Sequence, residues 1–286
     1  MGLVDNHGYE VEITYNKTIS KDLTLMVLAN YGFNKNNQKF LDQQIRDSTY
    51  MMRYTGQGYP IGQQTGYAID YSNGNGYFNS QEELDLYLSK TRYGSGSPRV
   101  GDFKYLDQNG DGIVDSKDVV PIGYSSIPEI AYGLTINLQY KAFALTTFFQ
   151  GVSHYSGNYS NQGTYENTKL GTYFGYTRTA WTAERYAAGE KITYPALSTL
   201  SNSNHRANSF FIMDRSFLRL KNMELSYTLP EKSLKMFGVQ KMRVYISGDN
   251  IFTWDKLLMD HLDPETTGSL VYPETKMTSL GVNITF

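Results

Sequence analysis

Apolar and polar residues alternate with a period of two along much of this 286-residue chain, and that pattern restricts the fold more than any other feature. Tyr9, Val11, Ile13 and Tyr15 interleave with Glu10, Glu12, Thr14 and Asn16, while Leu134, Ile136 and Leu138 interleave with Thr135, Asn137 and Gln139. Successive side chains of a strand point to opposite faces, so each stretch has one apolar and one polar side. The signal recurs from Leu23 to Phe33, Phe143 to Phe149, Met223 to Leu229, Met242 to Ile246 and Leu280 to Phe286. It predicts seven strands, near 8–16, 22–34, 130–140, 142–151, 215–229, 241–253 and 275–286. From Ser216 to Leu220 the apolar side moves onto Leu218 and Leu220, which suggests a bulge or an exit from the lipid zone.

The connections decide what such strands build. Those at 17–21, Lys141 and 230–240 are short, whereas 35–129, 153–213 and 255–273 are long, and the two kinds alternate. A soluble β-sandwich has connections of similar length at both ends. An up-and-down membrane barrel has short turns on one side and long loops on the other. Only 40% of residues are hydrophobic and the mean hydropathy is -0.46, low for a large buried core. No run approaches the roughly 18 apolar residues of a spanning helix, so strands must carry any membrane role. The expected fold is therefore all-β, an antiparallel transmembrane β-barrel. Leu134, Ile136, Leu138, Val282 and Ile284 should face lipid; Thr135, Asn137, Asn283 and Thr285 should face the lumen. Tyr9, Tyr15, Tyr31, Tyr132, Tyr140 and Tyr227 lie near strand ends, as in aromatic girdles, although tyrosine also simply favours strands. Bacterial barrels have even strand numbers, so seven points to part of a larger barrel, with two edges open.

Net charge of -2 without a basic cluster gives no support to a nucleic-acid partner, and the absence of Cys excludes disulfides and thiolate metal sites. Met1 to Asn6 has neither a cationic start nor an apolar core, so an export signal is expected upstream and Met1 reads as an internal start or a truncation point.

Five runs then make a specific resemblance: Tyr59-Pro-Ile-Gly, Gly101-Asp-Phe-Lys-Tyr-Leu-Asp-Gln-Asn-Gly-Asp-Gly-Ile-Val-Asp, Phe148-Phe-Gln-Gly, Phe217-Leu-Arg-Leu-Lys-Asn-Met-Glu-Leu-Ser-Tyr-Thr-Leu-Pro and Arg243-Val-Tyr-Ile-Ser-Gly-Asp-Asn-Ile-Phe-Thr. In order and spacing, from about Gly8 to Phe286, the chain resembles the SusC/RagA family of TonB-linked outer-membrane transporters. Its ending, Leu280-Gly-Val-Asn-Ile-Thr-Phe286, resembles the last-strand signal read by the barrel-assembly machinery. The resemblance implies that residues 1–286 are the C-terminal part of a 22-stranded barrel in a Gram-negative outer membrane. It further implies an N-terminal plug outside this sequence, contact with TonB through that missing region, and a SusD-like surface lipoprotein over the mouth. The expected activity is uptake of glycans, oligosaccharides or peptides, not enzymatic turnover.

Within the long loop 35–129, Asp107, Asn109, Asp111 and Asp118 occupy positions 1, 3, 5 and 12 of an EF-hand-like loop. Gly112 stands at position 6 for the sharp turn, and Ile113 at position 7 offers a carbonyl. This spacing predicts a structural Ca2+ site. It departs from a sensor EF-hand in having Asp118 rather than Glu and an extended lead-in; the same residues also make tight turns.

Tyr155, Tyr159, Tyr173, Tyr176 and Trp181 crowd the next long loop, where aromatic faces can stack on a substrate or pack on one another or on a partner. His7, His154, His205 and His261 show no carboxylate or nucleophile at a telling spacing, so an outer-membrane hydrolase finds no support. A calcium-dependent surface glycan-binding or adhesion module is the competing class. It would need a shared soluble core.

Overall fold

The computed structural model of the chain describes residues 2–42, 56–160, 165–166, 173–199, 202–234, 236, 238–259, 262–266, 272 and 274–286. Its strands are β1 (Leu3–Ser20), β2 (Leu23–Phe40), β3 (Gln63–Tyr67), β4 (Arg92–Tyr93), β5 (Ile113–Val114), β6 (Val119–Ser125), β7 (Ile130–Tyr140), β8 (Phe143–Ser153), β9 (Ser156–Asn158), β10 (Ile212–Asp214), β11 (Phe217–Thr228), β12 (Lys241–Asp255) and β13 (Met277–Thr285). The seven long strands form one antiparallel sheet in the order β1-β2-β7-β8-β11-β12-β13. Each pairs with its neighbour along the sequence, and β1 and β13 lie at opposite edges, so the sheet is open.

Register keeps the two faces separate across the whole sheet. One row runs Leu25, Leu138, Leu145, Leu225, Ile246, Leu280, and the next runs Tyr140, Phe143, Tyr227, Val244, Val282. On the other face lie Asn16, Met26, Asn137, Thr146, Glu224, Ser247 and Ser279. Directly opposed residues share a face, and a slip of one residue would exchange the two sets. No second sheet covers the apolar rows among the described residues. Phe143, Leu225, Ile246, Leu280 and Val282 remain exposed, as a lipid-facing surface requires.

The short connections gather at one end. Lys141 takes positive φ (53°) to turn β7 into β8, and its backbone N–H donates to the Asp22 carbonyl in the β1–β2 turn. Thr228 donates to Ala142, and Gln240 to Thr285, tying the remaining strand ends alongside. The expected alternation of short and long connections is therefore present. Two details differ from the sequence reading. β1 and β2 run well beyond 8–16 and 22–34, because a polar extension such as Asn34 to Gln38 still pairs through its backbone although it lacks hydrophobic alternation. The register shift in β11 falls between Leu220 and Asn222, just past the stretch where a bulge was expected: Lys221 is the extra residue against β8, whereas against β12 it faces two residues, Asn250 and Ile251.

At the opposite end the long connections fold on themselves. Strands β3 and β6, β9 and β10, and β4 and β5 pair there, and helices span Gln81–Leu88 and Ala183–Ala187. Ser80 caps the first helix by accepting from Glu83 N–H, and Thr182 caps the second by accepting from Arg185 N–H. The hydrophobic core lies in these loops: Phe103, Tyr105, Tyr159, Trp181, Tyr194, Phe210, Phe211 and Met259 pack together and are buried. Polar contacts knit the first two long connections. Asn204 accepts from Phe103 N–H and donates to Asp102, and Asn208 donates to the Tyr105 hydroxyl.

Candidate functional site

The polar face of the sheet and the loop assembly at its end together make the candidate site. On β11 the alternation places Arg219 on the polar face, opposite Thr253 of β12 and Gln150 of β8. Its side chain is buried and its guanidinium reaches into the connection between β12 and β13. It donates to both Asp263 oxygens (2.8 and 2.9 Å), to Glu265 and to the Thr253 hydroxyl (2.8 Å). Lys221 adds a contact to Glu265 at 3.2 Å. Just before β11, buried Arg215 donates to the carbonyls of Pro264 and Thr266 and lies 4.3 Å from the centroid of the Tyr155 ring. Two buried arginines thus hold the segment from Asp263 to Thr266 against the sheet. A planar fork that bonds two acceptors at once suits this better than a lysine. Sequence reasoning missed this cluster; two arginines four apart, followed much later by Asp-Pro-Glu, carry no recognised spacing.

The expected Ca2+ ligands lie on a single tight loop, but their oxygens are engaged with backbone amides. Asp107 accepts from Gly110 and Gly112, Asn109 from Asp111, and Asp111 from Ile113. Asp118 is fully buried and accepts from Gln108, Asn109 and Asp115 N–H, closing a capping box with Asp115 on the short helix Ser116–Asp118. The side-chain amide of Asn109, with further hydrogen bonds from Ile113 and Lys117, holds the Asp111 carboxyl below its usual range despite the opposing effect of desolvation. Among the described residues no three His, Cys, Asp or Glu side chains converge closely enough to hold a metal. The carboxylates of Asp107, Asp111 and Asp118 turn towards backbone amides rather than towards a common point. The repulsion among the carboxylates is met instead by amide dipoles.

The five aromatic candidates separate. Tyr159 and Trp181 are buried in the loop core, and Tyr176 packs against it. Burial pushes the Tyr159 hydroxyl up to about 12. The Trp181 indole N–H donates to Asn79 (3.1 Å), and Tyr155 covers Arg215. Tyr173 is exposed. Of the histidines, His154 stacks on Tyr124 and contacts Glu129 at 3.2 Å, and His205 is buried 3.0 Å from Glu166. His7 sits on β1 near Phe33, and His261 lies outside the described residues.

No family model matches the chain. It is 30% identical to TonB-dependent receptor P26 of Formosa agariphila over an alignment of 233 residues that covers 74% of this chain and 22% of that protein. It is 27% identical to TonB-dependent receptor SusC of Bacteroides thetaiotaomicron over 303 residues, covering 100% of this chain and 27% of that protein. The chain thus spans about a quarter of the length of these relatives. Among solved structures, the RagAB peptide transporter superposes with a TM-score of 0.68 at 20% identity, over 100% of this chain and 30% of the other, a likeness of fold.

Proposed function

Because the chain is a SusC/RagA-like segment of a TonB-dependent receptor barrel, we propose that it forms part of the wall and extracellular cap of an outer-membrane importer. The observation that carries this reading is the register. A polar row crosses all seven strands and an apolar row crosses the six from β2 to β13, with the long connections folded together at one end. Apolar rows meet lipid, polar rows line the lumen, and the cap covers the mouth where a solute enters. An adhesion module would bury the apolar rows in a shared core, whereas here the core lies in the loops.

The wider proposal is that the complete receptor takes up glycans or peptides with a SusD-like surface lipoprotein and draws on TonB through a region outside this chain. The test is uptake of labelled oligosaccharides and oligopeptides by cells carrying the complete receptor, with and without TonB and the lipoprotein. Uptake indifferent to TonB refutes it. Among the aromatic candidates the exposure of Tyr173 supports contact with a solute, and Tyr173→Ala should weaken uptake without unfolding the loops.

We also propose that the loop from Asp107 to Asp118 takes up Ca2+. The ligand spacing supports this, and binding requires Asp111 to exchange Lys117 for the ion. Calcium calorimetry on the complete receptor, with Asp107→Ala/Asp111→Ala as control, decides it. No heat, and no change in protease protection between Arg99 and Pro121 on chelation, leaves the loop a turn.

A further inference from the structure

Between β1, β2, β7 and β8 the polar face is interrupted by a cavity of about 650 Å3. It is centred on two paired rows, Glu10–Gly32–Ala131–Val152 and Glu12–Asn30–Gly133–Gln150. Gly32 and Ala131 leave the middle of the first row almost bare, so backbone forms the floor there, while in the second row the Asn30 side chain lies over Gly133. Glu10 and Glu12 stand on one side and Gln150 on the other. Phe148 and Val152 add an apolar wall, which puts an aromatic ring on a face whose neighbours are otherwise largely polar.

The charges of this face are unevenly settled. Arg219 is matched by Asp263 and Glu265, Lys221 by Glu265, and Arg243 by Glu224. Glu10 and Glu12 have no ion-pair partner among the described residues. They point to the same side of β1, roughly 7 Å apart at the two-residue repeat of a strand.

We propose that this cavity is a lumenal subsite for a cationic side chain, an alkylammonium or guanidinium, of an imported solute. The proposal rests on reading the polar face as the lumen. The two carboxylates and the carbonyl oxygens of Asn30 and Gln150 accept from the cationic head. Phe148 and Val152 cover the methylene stem, as apolar surface does for long basic side chains elsewhere, and a cation near the Phe148 ring gains further attraction. The bare floor provides the depth. An anionic solute meets two carboxylates here and is disfavoured.

The test is calorimetric titration of the complete, detergent-purified receptor with trilysine, trialanine and triglutamate. Trilysine should bind at least about tenfold more tightly than trialanine, the effect of about one charge-assisted hydrogen bond, and triglutamate should not bind. Glu10→Gln/Glu12→Gln should abolish that preference while leaving trialanine unchanged. Gly32→Leu provides a second route, because a Cβ there meets nothing nearer than 3.7 Å and the larger side chain fills the cavity without removing charge. Compact electrophoretic mobility without boiling establishes that each variant is folded. Equal affinity for trilysine and trialanine, or a preference that survives both substitutions, overturns the proposal. So does a complete-receptor structure in which Lys or Arg from an adjoining strand is seated on Glu10 and Glu12. TonB-dependent uptake by the same variants separates the two levels: uptake that persists after the preference is lost refutes the subsite alone, whereas uptake that never depended on TonB refutes the importer reading.

Discussion

Arg219→Ala should release the connection between β12 and β13 from the barrel wall while leaving the sheet paired. Removing one member of a buried, hydrogen-bonded charge cluster costs roughly 3–5 kcal/mol, because the partners keep their desolvation and lose their compensation. Here the Arg219 side chain is 2% exposed, Asp263 is 10% and Glu265 is 24%, so the carboxylates recover part of their hydration once released. Lys221 also stays within reach of Glu265. The lower end, about 3 kcal/mol, is therefore expected. At about 1.4 kcal/mol per factor of ten, local opening of the segment from Leu262 to Thr266 should become roughly a hundredfold more frequent. Hydrogen–deuterium exchange on the complete receptor reads this directly in peptides covering the segment, with β12 peptides as internal reference. Arg219→Lys keeps charge without the fork and should fall between wild type and alanine. Exchange within threefold of wild type in the alanine variant would refute the clamp, and equal acceleration in β12 would show that the arginine supports the sheet instead.

Gly151→Ala should destabilise the barrel by about 1–3 kcal/mol, the usual range for overpacking. The added Cβ would sit 2.3 Å from Tyr132 and 2.5 Å from the Phe217 carbonyl oxygen; an unchanged temperature for loss of the compact band counts against this. Asp118→Ala should strip three backbone N–H groups of their acceptor and open the loop, at about 1–3 kcal/mol for an unmade buried bond. Proteolysis confined to 107–118 reports it, and resistance equal to wild type refutes it. Desolvation works against the charged form of Asp70, but hydrogen bonds from Ser72 and Lys104 outweigh it and hold the carboxyl below its ordinary value of 3.8. Its contribution is therefore full above pH 3.8 and is lost as pH falls through the lower folded value. Loop protection in wild type should drop in that acid window, and Asp70→Asn should remove this part of the drop. A variant with the same acid profile as wild type would contradict the assignment.

The sheet was legible in the sequence because its energetics repeat. A strand between two different solvents must alternate, and every residue of Leu134 to Leu138 or Leu280 to Ile284 reports the same two surroundings. Where one side is no longer lipid the report stops, which is why the paired ends of β1 and β2 around Asn36 escaped notice. The cap follows a different logic. Phe103 and Asn204, or Tyr105 and Asn208, meet across about a hundred residues, and their partners are chosen by shape and hydrogen-bond capacity rather than by period. Aromatic crowding showed that something packs there, without showing whether Tyr159 and Trp181 serve a solute or each other's neighbours. Both lie in the buried core of the cap, whose polar groups are met by donors: Asp102 stays buried because Asn204 and Arg99 surround it, although burial still raises its carboxyl above the ordinary range. The same distinction applies to the acidic loop. A spacing of Asp, Asn and Gly specifies where oxygens lie along the chain, and both a cation and a set of backbone amides satisfy that spacing. Only the direction in which Asp107, Asp111 and Asp118 turn separates the two states, and that direction is set by whichever positive partner is present.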